Sequence, residues 1–165
     1  MAETSLFQGI SYRTTDDKGR IVLPVRFRDA LIGAGGKQAI ITIDGNFLAA
    51  YTPIEWQRIV KRTMAKPKTP EVREIIRHFI GPAEKCDFDK QGRIRLPASL
   101  RKVAGIKTKA DITLVGGLTF FELWASHRFE AAQEGFESGK RSGRYDAVMA
   151  DITSDVESEA TDSDS

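Results

Sequence analysis

The sequence predicts a mainly β fold with helices, an α+β protein in which two similar half-units close a pseudo-symmetric β-barrel with helices around it. Three observations predict it. A thirteen-residue pattern recurs at an offset of 73 residues, and each copy passes from short apolar runs to helical spacings and back. The last fifteen residues are acidic and poor in apolar side chains.

The repeated pattern organises the rest of the chain. Asp16-Asp17-Lys18-Gly19-Arg20-Ile21-Val22-Leu23-Pro24-Val25-Arg26-Phe27-Arg28 lies over Asp89-Lys90-Gln91-Gly92-Arg93-Ile94-Arg95-Leu96-Pro97-Ala98-Ser99-Leu100-Arg101 with seven of thirteen positions identical. Unrelated segments of ordinary composition would share about one. In each copy Asp and the Gly three residues on suit a tight reversal, in which the carboxylate bonds the local backbone and Gly accepts a positive φ. A short strand follows. Pro24 and Pro97 then fix φ for a first helical position, and the helices carry Phe27, Ala30 and Leu31, and Leu100, Val103 and Ala104, until Gly33 and Gly105 stop them.

Each half continues with a hairpin. Ala39–Ile43 and Phe47–Tyr51 flank a turn at Asp44-Gly45-Asn46, and Ile112–Val115 and Phe120–Trp124 flank Gly116-Gly117. Both hairpins run into longer helices. Thr52-Pro53-Ile54-Glu55 is a capping box before an apolar stripe of Trp56, Ile59, Val60 and Met64, and Ser126 precedes Phe129, Ala132 and Phe136. A further helix opens at Thr69-Pro70 with Val72, Ile75, Ile76, Phe79 and Ile80 at helical spacing. All these stripes are expected to be core. A half-unit of this size cannot bury its sheet alone, and packing two around a pseudo-twofold axis also removes strand edges.

Composition narrows the function classes. The chain has 165 residues, 41% apolar and 29% charged, which suits one globular domain or two very small ones and excludes collagenous or wholly disordered chains. No apolar run approaches the roughly 18 residues of a spanning helix, so no membrane partner is expected. Residues 1–7 lack the basic opening and apolar stretch of a secretory signal, and Cys86 is the single cysteine, which fits a reducing cytosol. The net charge of +2 hides a division: residues 151–165 carry six acidic groups and no Lys or Arg, while residues 1–150 hold all 25 basic side chains against 17 acidic ones. A +8 body with a −6 tail raises nucleic acid as a partner, and the tail's composition predicts disorder.

Within that body Arg20 and Arg93 are the leading candidates, because a guanidinium reaches phosphate oxygens or guanine O6 and N7 with paired bonds. The alternative use is a fastened turn, with each Arg paired to the Asp four residues before it; both uses are compatible if Asp16 and Asp89 aim the arginines. Lys18, Arg13, Lys90 and Arg95 sit near the turns and suit phosphate neutralisation, as does Arg26, although each alone is also an ordinary solvated charge. Arg28 and Arg101 suit either DNA or pairing with acidic side chains. Catalysis is disfavoured. Asp16 and Asp89 lack the Asp-Thr-Gly or Asp-Ser-Gly setting of a proton-sharing pair, and each precedes an Arg that keeps it ionised. Asp44-Gly45 has Gly117 at its symmetric position, His78 and His127 lack a nucleophile or Cys cluster, and Gly33-Ala34-Gly35-Gly36 follows a helix rather than opening one. No cofactor, metal or small-molecule substrate is expected, and the aromatic residues occupy core-like positions rather than an RNA-stacking strand.

The duplicated Asp-x-x-x-Arg turn with Ile-x-Leu-Pro and a further Arg, with Phe7-Gln8-Gly9 before it and Phe121-Glu122-Leu123-Trp124 late in the chain, closely resembles the MraZ family of the AbrB and SpoVT group. The resemblance covers about residues 6 to 138. It implies two swapped-hairpin AbrB-like βαββ repeats, at 6–56 and 79–129, with a helical linker at 57–78, a C-terminal helix at 130–144 and the acidic disordered tail at 145–165. It also implies a transcriptional regulator, a repressor of its own division and cell-wall operon, which binds double-stranded promoter DNA with repeated boxes as a ring homo-oligomer in the cytoplasm and on the nucleoid. The family's DNA-contacting arginine falls on Arg20 and Arg93. An antitoxin-type module that binds a protein partner as well as DNA is the alternative, disfavoured by the fused second copy. The tail departs from the family pattern.

Overall fold

In the computed structural model, which describes residues 6–161 and the side chains of 6–154, the 73-residue offset runs through the whole order of elements. The first half comprises β1 (Ile10–Thr14), β2 (Arg20–Val22), α1 (Val25–Gly33), β3 (Gln38–Asp44), β4 (Phe47–Tyr51) and α2 (Pro53–Ala65). A short helix α3 (Pro70–Ile75) and a π-helical segment (Ile76–Ile80) lead to the second half. This comprises β5 (Glu84–Asp87), β6 (Arg93–Arg95), α4 (Ala98–Ala104), β7 (Asp111–Gly116), β8 (Phe120–Ala125) and α5 (Ser126–Arg141). α6 (Asp146–Thr161) follows.

The halves exchange strands. One sheet has the order β1-β7-β8-β4-β3-β5, so the first strand of each half pairs with the hairpin of the other. The registers match: Thr14 faces Asp111 as Asp87 faces Gln38. The second strands pair with each other as a separate two-stranded ribbon, β2-β6. The ribbon stands beside both sheet edges, since Phe88 bridges Ile94 and Arg13 Nε donates to the Val22 carbonyl at 2.9 Å. No ladder joins β1 to β5 among the described residues, so the expected barrel takes the form of a sheet and a ribbon.

The core repeats with the same offset. Ile21 and Ile94, Leu23 and Leu96, and Phe27 and Leu100 are each at most 2% exposed, and full burial of such a side chain contributes about 1.5–3 kcal/mol. Phe7 extends this core by packing on Phe27 and Phe121 at centroid distances of 5.5 and 5.2 Å. Its backbone passes so close to Gly116 that a Cβ there would lie 2.5 Å from the Phe7 carbonyl, which only glycine permits.

Several local expectations change. Pro24 and Pro97 cap α1 and α4 with ψ of 140° and 138°, one residue before the helix rather than inside it. Thr52 and Thr69 cap as expected, each accepting from the backbone N–H three residues on. The helix from Pro70 turns π-helical at Ile76, where Gly81 N–H reaches back five residues to the Ile76 carbonyl. The stripe positions Met64, Ile75, Val103, Ala132 and Phe136 are exposed, because α2, α3, α4 and α5 are covered on less of their apolar surface than full core would require. Contacts divide the chain after Arg128, and the second unit holds most of α5 together with α6. Residues 146–161, expected within an unordered tail, are helical: Ala147, Met149 and Ala150 favour helix and Asp146 suits its N-terminus. The last four residues of that expected tail lie outside the described residues.

Candidate nucleic-acid interface

Each Asp-x-x-x-Arg segment closes on itself. Asp16 Oδ1 accepts the backbone N–H groups of Lys18 and Arg20 at 2.9 and 2.8 Å, and Oδ2 accepts Arg20 Nε at 2.6 Å. Asp89 does the same with Gln91 N, Arg93 N and Arg93 Nε at 2.9, 3.0 and 2.8 Å. The backbone completes the loop, since each Asp N–H donates to the carbonyl of its Arg and the Gly19 and Gly92 N–H groups donate back to Asp. Gly19 and Gly92 have φ of +74° and +75°, a conformation that other L-residues adopt only with strain. The Arg20 backbone N–H, above all, holds the Asp16 carboxyl down at about 2, with further help from the Arg20 guanidinium and against a counteracting desolvation. Asp89 is likewise lowered, chiefly by the Arg93 backbone N–H. Both stay ionised at neutral pH, so the turn is a fastened turn.

Fastening leaves the arginines usable. The aspartates occupy only Nε, and among the described residues the terminal nitrogens of Arg20 and Arg93 have no acidic partner besides them. Their side chains are 27% and 34% exposed. The ribbon register places Arg20 opposite Arg95 and Val22 opposite Arg93. Ile21 and Ile94 point into the core, so strand alternation turns Arg20, Arg93 and Arg95 to the same outer face. Three guanidinium groups thus share a face two strands wide, with Lys18 and Lys90 exposed in the flanking turns.

The other candidates divide. Arg13 has its guanidinium engaged by the carbonyls of Val22 and Tyr12, which ties β1 to the ribbon. Arg26 reaches the Gln8 carbonyl and the Ser11 hydroxyl, both at 3.0 Å, and fixes the N-terminal strand to α1. Arg28 and Arg101 form no ion pair among the described residues; instead each lies against the glycine of a turn. Lys107 and Lys109, unmarked by any local motif, come beside the first turn because the Lys107 carbonyl accepts the Thr15 hydroxyl at 2.6 Å and Lys109 N–H faces the Asp16 carbonyl at 3.4 Å. No group of three or more His, Cys, Asp or Glu able to hold a metal occurs among the described residues, and no helix there is long and apolar enough to cross a membrane.

The chain matches a family model described as "MraZ protein, putative antitoxin-like" twice, over residues 6–77 and 79–144. Several relatives bear the name transcriptional regulator MraZ. The protein from Desulfosudis oleivorans is 44% identical over 76% of this chain and 84% of its own length. That from Desulforapulum autotrophicum is 40% identical over the same shares. The protein from Thioalkalivibrio sulfidiphilus is 33% identical over 90% of this chain and 99% of its own length. The name is that of a regulator and not of an enzyme. Two family matches that follow the structural duplication, and relatives at this identity over most of their length, establish that the chain belongs to the MraZ family.

Proposed function

We propose that the chain is a sequence-specific DNA-binding transcriptional regulator whose two Asp-fixed turns grip promoter DNA, with Arg20 and Arg93 making the principal contacts. The observation that carries this reading is the shared outer face of the β2-β6 ribbon, where both arginines and Arg95 stand with Nε of the first two held by the aspartates and their side chains partly exposed. A pre-aimed guanidinium loses little freedom on binding and matches phosphate or guanine with paired bonds. Lys18, Lys90 and Arg95 neutralise phosphates, Asp16 and Asp89 aim the arginines, and Arg13 acts indirectly by holding the ribbon. The shared name of the relatives supports a role at promoters.

In its finer form the proposal is a cytoplasmic, nucleoid-associated repressor of its own division and cell-wall operon, which binds repeated boxes as a ring of identical subunits. Repetition matters because contacts that are individually weak become strong once later ones are effectively intramolecular. Anisotropy titration of a labelled duplex from upstream of the protein's own gene tests it. Arg20→Ala and Arg93→Ala each weaken binding by about 5- to 150-fold, the range for loss of one bidentate contact. Deleting one box weakens binding far more than that box's share. Equal affinity for one box and several would contradict the repeated-box mechanism, and full affinity in both folded variants would contradict the site.

A further inference from the structure

Resting on that reading of the turns, we propose that Arg101 and Arg28 are positioning residues that lock the turn of the opposite half, Arg101 of α4 setting Arg20 and Arg28 of α1 setting Arg93. The space a side chain would occupy at Gly19 is filled by the Arg101 guanidinium: its Nε, Cζ and Nη2 lie 2.5, 2.8 and 3.0 Å from the ideal Cβ position. Three atoms at such similar distances place the group face-on against the turn. At Gly92 the visitor is Arg28, with Nη1 at 2.7 Å, Cδ at 3.4 Å and Cζ at 3.6 Å, an approach along one edge of the side chain.

The contact belongs to a closed circuit. Arg101 Nε donates to the Leu96 carbonyl at 3.1 Å, and Leu96 N–H donates to the Gly19 carbonyl at 3.0 Å. Helix α4, the residue after β6 and the first turn are therefore fastened together one residue before Arg20. Leu23 N–H reaches the Gly92 carbonyl at 2.8 Å in the mirror position. Both arginines are half-buried, and neither forms an ion pair among the described residues. Their role is support from behind, and neither half carries a complete site. Glycine is needed twice over at each turn, for its positive φ and for the arginine's seat. A lysine would keep the charge but lacks the plane that lies on the glycine.

Double-mutant cycles in the full chain, read by anisotropy with the same labelled duplex, test this. Arg101→Met weakens binding about tenfold, the cost of misplacing one charge-assisted contact. That loss nearly vanishes in the Arg20→Ala background and persists in full in the Arg93→Ala background; Arg28→Met shows the reverse. Arg101→Lys fails to restore affinity although it keeps the positive charge and the circular dichroism spectrum of the folded chain. Equal losses in both backgrounds, or rescue by Arg101→Lys, would overturn the lock. Should either Met variant fail to fold, the cycle with Arg101→Lys and Arg28→Lys decides by the same selectivity. Unchanged affinity in Arg20→Ala itself would instead sink the DNA reading on which the lock rests.

Discussion

At the first turn Asp16 lies 2.8 Å from Arg20 N and 2.6 Å from Arg20 Nε, and at the second Asp89 lies 3.0 and 2.8 Å from the same atoms of Arg93. The hydrogen-bond pattern is the same while the surroundings have diverged. Residues 16–22 carry two acidic and two basic side chains, and residues 89–95 carry one acidic and three basic. Val22 stands where the second copy has Arg95, and Arg13, which braces β1 against the ribbon, stands where the second copy has the buried Cys86. The Asp–Gly–Arg lock recurs with its geometry intact, whereas the charges around it differ from one copy to the other.

The largest expected effect removes both turns at once. Arg20→Ala with Arg93→Ala abolishes promoter binding in an anisotropy titration while circular dichroism and assembly size stay unchanged. The singles sharpen the comparison, since Arg93→Ala acts on the more basic turn and reduces the salt slope by about one.

Next come the glycines. Gly19→Ala and Gly92→Ala each destabilise the fold by about 1–3 kcal/mol in urea unfolding, because each imposes a positive φ on alanine and crowds an arginine. Gly19→Ala costs more. The atom it displaces is Arg101 Nε, which is bonded to the Leu96 carbonyl, whereas at Gly92 it meets a terminal nitrogen of Arg28.

A smaller change makes the copies alike. Val22 is 47% exposed on the ribbon's outer face, and Val22→Arg raises the salt slope of binding by about one with a few-fold gain in affinity at low salt. Arg95→Val does the opposite.

Smallest is the acid response. Asp16 has its carboxyl lowered from 3.8 to about 2, so its ionised form contributes stability that is present above about pH 4 and is lost as pH falls toward 2. Asp16→Asn flattens the unfolding midpoint over that window, and Asp89→Asn does so in the same direction.

Much of this was legible in the chain itself. The 73-residue offset carried the strand after each turn, both hairpins, the paired helices and both turns, because a duplicated backbone needs the same glycines and apolar positions twice. Residues whose partners are distant in sequence were not legible. Nothing beside Arg101 marks it as a neighbour of Gly19, and nothing local marks Lys107 as the acceptor for Thr15. The apolar stripes misled in part. Helical spacing shows that Met64 and Phe136 share a face with other apolar residues, but not how much of that face is covered; they are 73% and 46% exposed. Strand exchange between the halves came through the family resemblance, since two half-units with identical registers satisfy their hydrogen bonds equally well in either arrangement.

Arginine-directed chemical footprinting tests whether the two turns hold DNA. A dicarbonyl reagent is applied to the full chain with and without the promoter duplex, and adducts are read by mass spectrometry. Arg20 and Arg93 react in the free protein and are protected together in the complex, while Arg141 and Arg144 react equally in both. Unchanged reactivity of Arg20 and Arg93 on saturation with DNA would contradict it.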